Sequence, residues 1–232
     1  MVHGNTAKIV SGQEAGKIVE KTDGLITADK NLFLTITVAD CLPIFIYDPE
    51  KEIIGLVHGG WKNLAKNILA SVVEKMAENF GSLAKDILVG VGPGISQCHF
   101  EVKKDLLEEF KSYLKDTLLN KEGRLFLDLK KIAKIQLINL GVKEKNIETS
   151  PECTFCLADF KNIYLYNNES SRLDFIKASL AQRAGFLSEA SRFLIPKESR
   201  FSSEARGSYK YFSYRRNRVK RVETMLTVIG RK

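Results

Sequence analysis

Two short apolar segments, Leu42 to Tyr47 and Ile53 to Val57, flank the turn signal Asp48-Pro49-Glu50-Lys51. Their β-branched and aromatic content, at this separation, specifies an antiparallel hairpin. Each segment borders a residue with metal-binding chemistry. Cys41 lies in Val38-Ala39-Asp40-Cys41-Leu42-Pro43, and His58 in Leu56-Val57-His58-Gly59-Gly60-Trp61-Lys62. A hairpin folded about the middle of the turn sets Cys41 directly opposite His58, with β-carbons about 4.5–5.5 Å apart. A thiolate and an imidazole that close can share one metal ion, and the site then needs a third ligand.

The rest of the chain alternates irregularly between strand and helix patterns. Leu32 to Val38 reads as a strand, and Lys62 to Phe80 as an amphipathic helix with Leu64, Ile68, Val72, Met76 and Phe80 four residues apart, ended by Gly81. Ile87 to Val91 is a buried strand closed by Gly92-Pro93-Gly94; Leu106, Leu107, Phe110 and Leu114 mark a second helix. A third helix starts at Asp128 and runs through Ile132, Ile135 and Leu140 to Gly141. Ile147 to Thr149 then reads as a strand leading into Cys153-Thr154-Phe155-Cys156. A helix from Arg172 to Phe186, with Ser170 or Ser171 as N-cap, a polar segment from Lys197 to Ser208, and a last strand, Leu226 to Ile229, complete the pattern. Irregular alternation with at least one hairpin predicts an α+β (mixed α/β) fold, helices packed on mixed β-sheets, rather than a strictly parallel one.

Composition narrows the function classes. No apolar run approaches the ~20 residues of a membrane span, and Met1 is followed by no signal-like segment, so a soluble, cytoplasmic protein without membrane partners is expected. Four cysteines in 232 residues suggest metal binding or catalysis rather than a disulfide framework. The net charge of +8 resides in residues 197–232, which hold eleven Lys/Arg and three Asp/Glu; the rest of the chain is neutral. A solvated basic end is the simpler reading of that segment, and nucleic acid is not an expected partner.

Several ordered motifs together resemble the YfiH-type laccase-domain family, also labelled polyphenol oxidase-like or peptidoglycan editing factor. They are Thr22-Asp23-Gly24-Leu25-Ile26-Thr27, the Cys41 and His58 segments, Gly92-Pro93-Gly94-Ile95 with Cys98 and Phe100-Glu101-Val102, Leu127-Asp128-Leu129, Cys153-Thr154-Phe155-Cys156, and Phe212-Ser213-Tyr214-Arg215-Arg216. The resemblance implies a YfiH-like fold and a metal held by His3, Cys41 and His58, with Cys41 and His58 at the catalytic centre. A Cys/His/His set with an open fourth position suits catalytic zinc. It also implies phosphorolysis of purine nucleosides (adenosine, inosine, guanosine, methylthioadenosine) together with adenosine deamination. Nucleosides and phosphate are then the partners, and Lys62 and Arg215 are candidate phosphate or ribose contacts.

The family's laccase label offers copper-dependent phenol oxidation as an alternative, but three histidines in the whole chain are too few for several copper centres, so zinc is favoured over copper. A peptidoglycan-precursor editing hydrolase and a degenerate non-catalytic scaffold are further alternatives. Relative to the family pattern, the Val-His-Gly motif begins at residue 2, and about 55 residues, 157–211, separate the Cys-Thr motif from Phe-Ser-Tyr-Arg-Arg. A single domain over 1–232 with an insertion at about 157–211 is therefore expected. Lys220-Arg221-Val222-Glu223 stands where the family carries Gly-Arg. Asp40, on an extended strand, points away from Cys41, which favours a turn or hydrogen-bond-acceptor role over general acid/base. Cys153-x-x-Cys156 has zinc-knuckle or redox spacing but no second such pair, which favours a structural role or a stray disulfide over a redox centre; Cys98 and His99, adjacent on a strand, point to opposite faces and are structural or line the pocket rim.

Overall fold

The computed structural model describes residues 4–156 and 225–231. The expected helix from Arg172 to Phe186, the segment from Lys197 to Ser208, and the expected site residues His3 and Arg215 lie outside the described residues.

The hairpin forms from β4 (Leu42–Asp48) and β5 (Ile53–Gly59). Both strands are buried on both faces, which is why they read as nearly continuous apolar runs. Leu42, Ile44, Ile46 and Val57 contribute to one core cluster, while Phe45, Ile54 and Leu56 contribute to a second. The hairpin is the middle of a six-stranded sheet ordered β1 (Ala7–Ile9), β2 (Gly24–Thr27), β5, β4, β6 (Leu88–Val91), β10 (Ile147–Thr149). The two outermost pairs are parallel and the inner ones antiparallel, the mixed sheet that the irregular alternation predicts.

Helices cover one face. The expected helix over 62–80 is broken into α1 (Trp61–Ala65) and α2 (Ile68–Phe80) by Asn67, which sits in the left-handed region at φ 57°. Asparagine enters that region more readily than most residues, and the break leaves the Leu64 carbonyl to accept a 2.9 Å bond from Gln136 Nε2. Ile68, Leu69, Val72, Val73 and Met76 form the buried stripe of α2, each contributing about 1.5–3 kcal/mol by leaving water. The second expected helix is likewise divided, into α3 (Lys104–Glu108) and α4 (Leu114–Thr117).

A small antiparallel sheet, unforeseen from periodicity, surrounds these short helices: β7 (Glu101–Val102), β9 (Arg124–Leu127) and β8 (Leu118–Lys121) in that order. Then α5 (Leu129–Asn139) starts as expected, with Asp128 accepting from Lys131 N–H at 3.0 Å, and packs against α2.

The opposite face is covered by a two-stranded ribbon, β3 (Phe33–Val38) antiparallel to β11 (Met225–Gly230), in register from Met225 opposite Val38 to Gly230 opposite Phe33. Ile229 and Leu34 of the ribbon join Val10, Phe45, Ile54 and Leu56 in the second core cluster. The described architecture is therefore helices, a central mixed sheet and a ribbon, in three layers. Among the described residues no helix is long and apolar enough to cross a membrane.

Candidate metal centre

The hairpin register differs from the expected one by two residues. Pro43, not Cys41, stands opposite His58. Asp48 is the cause: its Oδ1 accepts from the N–H groups of Glu50 (2.9 Å) and Lys51 (3.1 Å), and Glu52 takes φ 55°, so the turn is centred one residue later than assumed. Cys41 falls just outside β4 and stands diagonally to His58 on the same side of the sheet. The two side chains still converge. A β-carbon placed on Gly60 would lie 3.2 Å from Cys41 Sγ, 3.6 Å from His58 Nε2 and 2.8 Å from Asn63 Oδ1. Gly60 keeps that space open because it has no side chain.

His58 is 2% exposed and is held from both ends. Its backbone N–H donates to the Asp23 carbonyl at 2.8 Å, and its Nδ1 meets Asp23 Oδ1 at 3.2 Å. Asp23, equally buried, also accepts from the Gly4 N–H through Oδ2 at 2.8 Å. A carboxylate on Nδ1 fixes the imidazole with its proton there and turns Nε2, the basic nitrogen, towards the cradle.

Asn63, fully buried, donates from Nδ2 to the Gly4 carbonyl at 2.8 Å, and its Oδ1 has no hydrogen-bond partner among the described residues. A buried acceptor left unsatisfied costs about 1–3 kcal/mol, so this orphan beside Cys41 and His58 marks a place where a ligand belongs. Burial pushes the Cys41 thiol up to about 12, with the Asp40 and Asp23 carboxylates adding to the rise. Such a thiol becomes a thiolate only when a cation compensates its charge. A soft sulfur and an oriented imidazole beside an open cradle are donors that a soft or borderline transition metal accepts.

Asp40 is a hydrogen-bond acceptor, but it sits in the left-handed region at φ 71° rather than on an extended strand. Its Oδ1 accepts from Thr154 Oγ1 at 2.7 Å, and its carbonyl from Ile95 N–H at 2.8 Å. Lys62 is exposed on α1, its Nζ 5.4 Å over the Trp61 ring, one residue before Asn63. The Thr22-Asp23-Gly24 run carries no local signal of the role of Asp23, and Asn63 carries none of its own. Asp23 meets His58 because β2 pairs with β5, a contact between residues far apart in sequence.

A second constellation forms elsewhere. Cys98 and His99 lie in a turn between β6 and β7, not on a strand, so both side chains reach the same point. There they meet Cys153 and Cys156, and the four ligand atoms all lie within 4.8 Å of one another. Burial of Cys98, with the neighbouring Cys156 next in effect, pushes its thiol up to about 12. Although burial acts to raise Cys153, the N–H groups of Ser96, Cys156 and Phe155 hold it below its ordinary value. An open groove of about 620 Å³, lined in part by Cys98, Lys131 and Lys134, runs beside this cluster rather than over Cys41 and His58.

Comparison with known proteins places this geometry in context. The family model described as multi-copper polyphenol oxidoreductase laccase matches residues 1–169. The chain is 32% identical over 163 residues to purine nucleoside phosphorylase YlmD of Bacillus subtilis, covering 66% of this chain and 59% of that protein. It is 34% identical over 192 residues to a purine nucleoside phosphorylase of Deinococcus radiodurans, covering 82% of this chain and 72% of that one. The crystal structure of Bacillus licheniformis hypothetical protein YfiH superposes with a TM-score of 0.62 at 32% identity, over 66% of this chain and 62% of that one. The chain thus spans about three fifths of the Bacillus proteins it matches. With the greater part of its length matched by that model, the chain belongs to the multi-copper polyphenol oxidoreductase laccase family.

Proposed function

We propose that the chain is a zinc-dependent purine nucleoside phosphorylase, with adenosine deamination as a second activity. The observation that carries this reading is the cradle at Gly60, where Cys41 Sγ, His58 Nε2 and the orphaned Asn63 Oδ1 converge. Relatives of the same family are named purine nucleoside phosphorylases. His3, Cys41 and His58 would hold the metal. Zinc, when bound, supplies a Lewis acid that polarises an oxygen ligand.

The chain's own groups do the remaining work. Asp23 holds the His58 proton on Nδ1 and orients the ring. Asn63 Oδ1 accepts a hydrogen bond from a hydroxyl or water entering the cradle. Lys62 and Arg215 are proposed to bind phosphate or ribose, cations suited to an anion held beneath the sugar while the base departs. The same reading takes 157–211 as an insertion in one domain and the protein as cytoplasmic.

The test is release of hypoxanthine from inosine by zinc-loaded protein, with and without inorganic phosphate. Release only with phosphate supports the reading, and no purine turnover by fully loaded protein overturns it. The family description motivates a second reading, copper-dependent phenol oxidation. Phenol oxidation that disappears on copper removal, from protein that releases no purine, would favour it.

A further inference from the structure

We propose that Cys98, His99, Cys153 and Cys156 form a second metal site, a Cys₃His site for a structural zinc ion, separate from the Cys41–His58 centre. The four donors come from two loops far apart in sequence, and they already stand close to tetrahedral positions. Zn–S bonds of about 2.3 Å and Zn–N bonds of about 2.0–2.1 Å give tetrahedral edges of roughly 3.8 Å between sulfurs and roughly 3.6 Å between sulfur and nitrogen. Cys98 Sγ and Cys156 Sγ are 3.5 Å apart. His99 Nδ1 lies 3.3 Å from Cys98 Sγ, 3.2 Å from Cys156 Sγ and 3.9 Å from Cys153 Sγ.

The surroundings are those of a thiolate–metal centre. The Ser96 N–H donates to Cys153 Sγ at 3.3 Å, a bond that favours charge on sulfur. The His99 ring is stacked on Phe155, with centroids 4.1 Å apart and planes 19° apart, which limits rotation of the donor nitrogen. Three thiolates around Zn²⁺ leave one net negative charge. Lys130, 6% exposed, is anchored nearby through the Ser150 and Glu152 carbonyls at 2.9 and 2.6 Å, and its ammonium offsets that charge. All four cysteines are free. A Cys98–Cys156 disulfide would require the sulfurs to close to about 2.05 Å, and it would leave Cys153 and His99 with no common role.

The ion would act on the fold next to the first site. Thr154, between Cys153 and Cys156, bonds the Asp40 carboxylate and donates its N–H to the Gly94 carbonyl at 3.1 Å. Asp40 directly precedes Cys41. A metal that fixes the 153–156 loop against the 96–99 turn therefore braces the left-handed turn from which Cys41 projects. This site does not depend on what the Cys41–His58 centre binds or catalyses.

The test is alkylation of the full-length protein, read cysteine by cysteine by mass spectrometry after dialysis against zinc or against a chelator. Zinc is expected to slow labelling of the exposed Cys98 and Cys156 at least ~10-fold. Equal labelling in the two conditions, or a Cys98–Cys156 disulfide in protein kept under reductant, overturns the site. This measurement uses the unaltered protein, so a variant that fails to fold does not weaken it. Metal counting then separates the two centres. The Cys41→Ser/His58→Ala protein is expected to keep about one zinc, which His99→Ala with Cys156→Ser removes. If unaltered protein and Cys41→Ser/His58→Ala hold the same single zinc, the second site stands and the zinc reading of the first falls. Zinc content unchanged by Cys98→Ser/Cys156→Ser overturns the second site alone.

Discussion

At the scale of single residues, the proposed Cys41–His58 centre would depend on groups that do not themselves bind the ion. Asp23 fixes the His58 ring and the Gly4 backbone together. Asp23→Asn is expected to lower zinc affinity about 10–100-fold, since loss of a carboxylate behind a histidine ligand typically does so. Competition with a chromophoric chelator measures it. The Cys41 thiol gives a pH signature. Its folded-state value of about 12, against an ordinary 9.0, means that the metal-free folded chain retains a proton which the unfolded chain releases across that window. Metal-stripped protein should therefore lose stability as pH rises from 9.0 towards 12. Below that window the contribution vanishes. Thermal melts of unaltered and Cys41→Ser protein in chelator, compared across pH, isolate it.

The approach of Cys41 to His58 is legible in the sequence because each adjoins a strong strand pattern. Their exact pairing is not, because a turn's centre depends on which side chain caps it, and Asp48 does so from the strand end. The convergence of Cys98 and His99 was hidden for a related reason. Adjacent residues diverge on a strand, but in a turn they can share one target.

At the scale of elements, the sequence pattern predicted helix content better than helix continuity. The four-residue spacing from Leu64 to Phe80 is real, yet Asn67 interrupts it. Periodicity records which face is buried and cannot see a left-handed residue between two buried turns. Replacing Asn67 with valine, which tolerates positive φ poorly, should cost about 1–3 kcal/mol, whereas Asn67→Gly should be close to neutral; urea midpoints decide between them. The small sheet of β7, β9 and β8 leaves little trace in the sequence because its strands are two to four residues long, too short for a period-two pattern to stand out. By contrast, Asp128 announced α5 correctly, since an N-cap is a local signal that distant packing does not alter.

At the scale of the whole molecule, the central sheet carries the core on both faces. Leu56 is fully buried on the ribbon side and Ile44 on the helical side. Leu56→Ala should cost about 2–5 kcal/mol by leaving a cavity, comparable with Ile44→Ala. A much smaller loss at Leu56, measured by denaturant unfolding, would mean that the ribbon layer contributes little to stability. The mixed-sheet class followed from irregular alternation, but the strand order did not, because β1 and β10 join the edges through parallel pairing that no local pattern reports.

The ribbon also sets a timetable. β3 finds its partner in β11, and 192 residues of chain separate Phe33 from Met225. At ordinary translation rates, roughly 10–40 s elapse between the synthesis of the two strands. Throughout that interval Leu34 and the ribbon-side face of the hairpin must wait for Ile229. The growing chain therefore has to keep a ready-made strand edge from pairing with its neighbours until its last layer arrives.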